Sequence, residues 1–146
     1  MQKDNNNPIY ARPTMEFLTI ATEYCAMMEQ TEGRRREELL GELMRILPVL
    51  YWHALVLKPI ETAGEFLPDD KVTEQDYEYI RQSLRDLLGD WDEYEDLVMD
   101  EASGREECRW VSMSELLADV SQPLRHFVRV YQQRLEQCMQ DALWAV

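Results

Sequence analysis

The stretch from Ser112 to Val146 constrains the fold more than any other part of the chain. Its apolar residues recur at steps of three and four, which is the pattern of one face of a long helix. They are Leu116, Leu117, Val120, Leu124, Phe127, Val128, Tyr131, Leu135, Cys138, Met139 and Ala142. Ser112 and Glu115 have the spacing of a capping box, and Ser114 is a second candidate cap. We therefore predict a long C-terminal helix, kinked or split near Pro123, against which shorter helices pack.

Four further segments are predicted to be helical from their apolar periodicity, although Pro48 should kink or break the second of them. They cover Met15–Gln30, Arg34–Lys58, Glu74–Leu88 and Trp91–Val98. Thr73 and Asp76 have the spacing of a capping box before the third segment. Cys108–Val111 is short and could be extended. The sequence thus predicts an all-α fold: a single-domain bundle of five to six helices over residues 13–146, after a flexible N-terminus at residues 1–12.

Charge is distributed unevenly along the chain. The net charge is −14, and residues 61–107 carry 17 acidic against 4 basic side chains. Phosphate groups need Lys and Arg, so we expect no nucleic-acid partner and no binding to an anionic membrane. The chain has no long apolar run, no signal-peptide core, and three widely spaced cysteines. These features predict a reduced, cytoplasmic protein.

Signals for metal or cofactor chemistry are weak. His53 and His126 are the only histidines, and neither has the second His or Cys at helical spacing that a metal site needs. Four acids fall at calcium-loop positions: Asp90, Asp92, Asp96 and Glu101. Glu95, however, stands where such a loop needs glycine. No glycine-rich phosphate loop or nucleophile elbow occurs. We therefore predict no metal site, no cofactor and no catalytic residues.

Two function hypotheses follow from the residues. In the first, the protein is a small acidic interaction or regulatory module whose partner is a protein with a basic surface. Trp91 and Tyr94, two aromatic residues in the acidic segment, are its candidate binding residues, because aromatic side chains are enriched at interfaces. In the second, the protein is an enzyme or small-ligand binder with a pocket between helices. The candidate residues for that pocket are Tyr51, His53 and Glu115.

From Phe17 to Trp144, the chain resembles the uncharacterised bacterial family catalogued as domain of unknown function 5063. The resemblance is carried by L-L-G-E-L-M-R-I-L-P-V-L-Y, V-T-E-Q-D-Y, L-L-G-D, S-M-S-E-L-L-A-D-V, F-V-R-V-Y and D-A-L-W. It implies an all-helical cytoplasmic domain and no established activity. After L-A-D, the family usually has Ile-Tyr-Gln-Asp-Leu. This chain has Val-Ser-Gln-Pro-Leu at Val120–Leu124 instead, so a Tyr and an Asp are missing.

The resemblance also implies more helix after the A-L-W motif, whereas this sequence stops at Val146. No Gly, Pro or basic residue closes the last helical turn. We therefore expect the chain to end before its last family helix and to leave apolar surface around Phe127, Tyr131, Leu135 and Trp144. Such a surface would favour a two-fold homodimer through the C-terminal helix.

Overall fold

The computed structural model describes residues 8–57, 73–133, 143, 144 and 146. Within them lie four α-helices, two 3-10 turns and one two-stranded antiparallel sheet. The helices are α1 (Arg12–Glu29), α2 (Arg36–Leu55), α3 (Glu74–Leu88) and α4 (Met113–Gln133), the strands are β1 (Glu93–Met99) and β2 (Glu106–Ser112), and the turns are Pro8–Tyr10 and Gly89–Trp91. The fold is all-α with a small sheet. The prediction of five to six helices was wrong.

The main error concerns Trp91–Val98, which was predicted to be a helix and forms most of β1 instead. Asp90 and Glu93 resemble a local helix cap, but residues far along the chain decide the conformation. Tyr94 pairs with Val111 and Glu95 with Trp110 in an antiparallel ladder. Aromatic and β-branched residues favour strands when they find such partners. Long-range pairing therefore overrides the weak local helix signal here.

Helix α4 is central to the bundle because it packs against both α1 and α3, while α2 packs mainly against α1. Phe127 is fully buried, with its ring 5.3 Å from the Phe17 ring and 4.7 Å from the Tyr131 ring. The expected apolar surface around Phe127 and Tyr131 is therefore corrected: both residues belong to the core. Trp144 is exposed, and Leu135 lies outside the described residues.

A long-range hydrogen bond holds the N-terminal turn over Tyr131. Its hydroxyl donates to the carbonyl of Ile9 at 2.9 Å, and Ile9 itself is buried in the 3-10 turn before α1. The Thr14 hydroxyl in the first turn of α1 donates to the carbonyl of Pro8 at 2.6 Å. The N-terminal turn thus covers the aromatic end of α4.

Helix α3 begins and ends where its sequence signals predict. The Thr73 hydroxyl accepts from the Asp76 amide at 3.1 Å, and the Asp76 carboxylate accepts from the Thr73 amide at 3.2 Å. This is the predicted capping box. At the other end Gly89 has a φ of 57°, a conformation that favours glycine.

The two prolines inside helices do not break them. Helices α2 and α4 continue through Pro48 and Pro123 without interruption.

Candidate functional site

The hairpin of β1 and β2 is joined to the bundle through Asp92, which is 2% exposed. One oxygen of its carboxylate accepts from the Ser114 amide at 2.6 Å. The other oxygen accepts from the hydroxyls of Ser112 and Ser114, each at 3.0 Å. The Asp92 carbonyl also accepts from the Met113 amide at 2.8 Å. Asp92 therefore satisfies donors at the start of α4 that the helix itself cannot satisfy.

A second contact at the base of the hairpin involves Arg36 at the start of α2. Its guanidinium carbon lies 3.9 Å from the centre of the Trp91 ring, which is a cation–π geometry. The same side chain donates to the Leu88 carbonyl at 3.3 Å and to the Asp90 carboxylate at 2.5 Å. This hydrogen bond and the charge of Arg36 lower the pKa of Asp90. Trp91 thus helps to fix the hairpin base while remaining 41% exposed.

Beyond its base, the hairpin projects apolar side chains into solvent. Residues directly opposite each other in an antiparallel pair lie on one face, and the face alternates along each strand. Beyond the Glu93–Ser112 pair at the base, the register therefore places six residues together on what we call the Trp110 face: Glu95, Leu97, Met99, Glu106, Cys108 and Trp110. Trp110 is 70% exposed, Leu97 67% and Met99 61%. A face of this composition is typical of a docking surface.

Acidic groups surround these apolar side chains. Glu95 is directly opposite Trp110, and Glu106 is opposite Met99. Among the described residues, no cation lies within ion-pair distance of either glutamate. At the turn, the Asp100 carboxylate accepts from the Ser103 amide at 3.0 Å. Hydrogen bonding from the side chain and the backbone of Ser103 lowers the pKa of Asp100. The Trp110 face is therefore an apolar surface with uncompensated negative charge.

The opposite face of the hairpin carries Tyr94, one of the predicted binding residues, which is 37% exposed. Its acids are partly compensated. The Arg109 guanidinium lies 3.1 Å from the Glu107 carboxylate and 3.6 Å from that of Asp100. Tyr94 and Trp91 thus lie on the hairpin and at its base, but the most exposed aromatic residue there is Trp110.

The three residues predicted to line an inter-helix pocket lie apart from one another. Tyr51 is 67% exposed on α2. His53, on the same helix, has its Nδ1 atom 3.9 Å from a carboxylate oxygen of Glu16 in α1, which is too long for a hydrogen bond. Glu115 is exposed in the first turn of α4. The pKa of Tyr77 in α3 is raised mainly by its hydrogen bond to Asp119, and the charge of Glu115 adds a smaller contribution. The structure does not bring these side chains to a common site.

An open pocket of about 350 Å³ does lie between α1 and α4, and none of those three residues lines it. Its charged groups are already paired: Arg125 with Glu29 at 3.1 Å, and Arg129 with Asp76 at 3.6 Å. Cys25 also lines it, and burial raises the pKa of this thiol to about 12. A thiol with this pKa stays protonated near neutral pH and is a poor nucleophile. Cys25 is therefore not an activated nucleophile in this pocket.

The sequence analysis allowed Cys108–Val111 to be extended but assigned most of β1 to a helix, so it did not place Leu97 and Met99 on one face with Trp110. One signal could have found them. The alternation of charged and apolar residues in Glu107–Trp110 is the pattern of a strand, and a strand in a small domain needs a neighbour. The segment after Asp92 was available to pair with it.

Fold and site together define a small helical domain that carries an exposed acidic hairpin. The chain belongs to the family described as "Domain of unknown function (DUF5063)", whose profile matches residues 8–146. It is similar to the crystal structure of protein BF1032 from Bacteroides fragilis, with 33% sequence identity and a TM-score of 0.81. That similarity covers 94% of this chain and 80% of the other. No curated protein matched the sequence. In the described part of the chain, we find no helix with the length and apolar character needed to cross a membrane.

Proposed function

We propose that the protein is a cytoplasmic interaction module that binds a partner protein through the Trp110 face of its hairpin. The observation that carries this proposal is the exposure of Leu97, Met99 and Trp110 on one face. A two-stranded hairpin with both faces in water has little stability of its own. Here the Asp92 hydrogen bonds hold its base against the bundle. Such an element is well suited to present side chains to another protein.

The charge of the hairpin indicates the kind of partner. Glu95 and Glu106 lie among the apolar side chains, so a docked acidic or purely apolar segment would leave these carboxylates desolvated without a counterion. A segment with both Lys or Arg and apolar side chains would bury Trp110 and neutralise the glutamates. Complementary charge also speeds association and makes it sensitive to salt. The partner is therefore a protein with a basic amphipathic segment.

A cytoplasmic location is part of the proposal. Cys25 and Cys108 are both free thiols, and exposed free thiols are typical of proteins in reducing compartments. Cell fractionation tests this directly, and recovery of the protein outside the cytoplasmic fraction would contradict it.

The binding proposal is tested by affinity capture with matched variants. Trp110→Ser removes the central side chain, and the double variant Glu95→Lys with Glu106→Lys reverses the charge. Tyr79→Ser is the control, because Tyr79 is 67% exposed on α3 and away from the hairpin. We expect one partner to be captured by the native protein and the control, lost with both hairpin variants, and released by rising salt. The proposal would be contradicted if all the variants still captured the partner, or if rising salt did not weaken the capture.

A further inference from the structure

The second half of α2 carries a large exposed apolar surface that the proposed function does not use. Nine residues between positions 44 and 56 are exposed, and all of them except Arg45 are apolar. We call this surface the outer face of α2. Its most exposed members are Met44 at 79%, Tyr51 at 67%, Trp52 at 63% and Leu55 at 59%. The opposite side of the helix buries Leu43 and Leu50 in the core. Helix α2 is therefore apolar on both sides over this half.

The outer face of α2 is also free of acidic residues. No Asp or Glu occurs from position 43 to position 57, in a chain whose net charge is −14. Like charges would oppose contact between two copies wherever residues 61–107 are exposed, because this segment carries 17 acidic against 4 basic side chains. A two-fold contact sets the same patch of both copies face to face. Such a contact avoids repulsion between acids only where acids are absent, and the outer face of α2 meets that condition.

The size of the surface fits a stable interface. Seven large hydrophobic residues from Met44 to Val56 are each between 37% and 79% exposed. With about 150–250 Å² for a large side chain, these fractions amount to roughly 600–900 Å². A specific protein–protein interface buries about 800 Å² on each partner. Tyr51 and Trp52 at its middle are of the residue types that contribute most to binding energy.

We propose that the outer face of α2 is the interface of a two-fold homodimer. In an antiparallel crossing centred near Tyr51, the two Arg45 guanidinium groups lie at opposite ends of the contact and do not repel each other. The hairpin remains free in such a dimer. Arg36, which contacts the hairpin base, is 15 residues from Tyr51, or about 22 Å along the helix axis. A dimer therefore presents two Trp110 faces, and two linked sites bind a repeated basic segment more tightly than one.

Sedimentation equilibrium of the whole chain across the micromolar range tests the interface. We expect the native protein to dimerise, and Tyr51→Glu and Leu55→Glu each to raise the dissociation constant more than about tenfold. Both positions are exposed, so circular dichroism should show unchanged helix content. Trp110→Glu is the matched control, because it adds the same charge to an equally exposed aromatic residue on the hairpin. It should leave the dimer intact and abolish partner capture.

The response to salt distinguishes the dimer proposal from the proposed partner binding. The α2 contact is apolar, so moderate salt should leave the dimer unchanged or strengthen it, whereas partner capture by the hairpin should weaken. The proposal is overturned if the native protein stays monomeric across the micromolar range, even if something other than a second copy is found to cover the outer face of α2. A dimer that resists both α2 variants, or that Trp110→Glu dissociates, also overturns it.

Discussion

The carboxylate of Asp92 accepts a hydrogen bond from the Ser114 amide at 2.6 Å, across 22 residues of sequence. This contact joins the residue before β1 to the first turn of α4. The hairpin between these two points is otherwise largely exposed. Its position relative to the bundle therefore depends strongly on one buried side chain.

The first prediction concerns this contact. Asp92→Ala should lower the free energy of unfolding by about 1–3 kcal/mol, because it leaves the buried donors of Ser114 and the partly buried hydroxyl of Ser112 without their acceptor. Urea unfolding measures the loss, and hydrogen exchange should show faster exchange of β2 amides. Asp96→Ala is the control: Asp96 is exposed, and its loss should change stability by less than about 0.5 kcal/mol. Equal effects of the two variants would contradict the role assigned to Asp92.

The second prediction concerns the start of α3. Thr73→Ala removes the hydroxyl that accepts from the Asp76 amide, and it should cost about 1 kcal/mol of stability. Thr73→Ser keeps that hydroxyl and should cost much less. Chemical denaturation of the two variants beside the native chain checks the difference. If Ala and Ser behave alike, the capping box does not contribute to stability.

The third prediction concerns acid. Hydrogen bonds from Thr73 lower the pKa of Asp76, and hydrogen bonding and charge from Arg36 lower that of Asp90. Because the folded-state pKa values lie below those of the unfolded chain, the stabilisation is complete above about pH 4 and is lost as the pH falls through the folded-state values. The urea midpoint should therefore decrease over this range, and less steeply in Asp76→Asn. The same slope in the native chain and the variant would contradict the assignment to Asp76.

The fourth prediction concerns the thiols. Burial and the nearby charge of Glu29 raise the pKa of Cys25 to about 12, whereas Cys108 is exposed on the Trp110 face. Iodoacetamide should therefore label Cys108 long before Cys25 in the native protein, and unfolding should remove the difference. Peptide mass spectrometry resolves the two sites. Rapid labelling of Cys25 in the folded state would contradict its burial.

Sequence reasoning was accurate where the residues that determine a structure lie close together in the chain. The bounds of α3 were predicted correctly because the Thr73–Asp76 box and Gly89 act within a few residues of the helix ends. Strand β1 was missed because its conformation depends on pairing with β2. Periodicity identified the apolar residues of α4, but it could not show that Tyr131 is covered by the turn containing Ile9, more than a hundred residues away.

The candidate site was predicted only in part for the same reason. Trp91 and Tyr94 were selected as aromatic residues in an acidic segment, and both lie on the hairpin or at its base. Trp110 lies on the other face of the hairpin from Tyr94, and the strand register shows that it shares its face with Leu97 and Met99. Tyr51 was selected for a pocket, but the structure places it on the outer face of α2. That face was not evident from the sequence because α2 is apolar nearly all round in its second half.

Photo-cross-linking in living cells tests the central claim most directly. A photoreactive amino acid replaces Leu97 on the Trp110 face or, as the control, Tyr79 on α3; the two native side chains are equally exposed. We predict a discrete cross-linked partner from position 97, not from position 79, with the cross-link in a Lys- or Arg-rich amphipathic segment. Introducing Glu95→Lys and Glu106→Lys should abolish that product. Equal cross-linking from both positions, or a product that survives the charge reversal, would contradict binding through the hairpin.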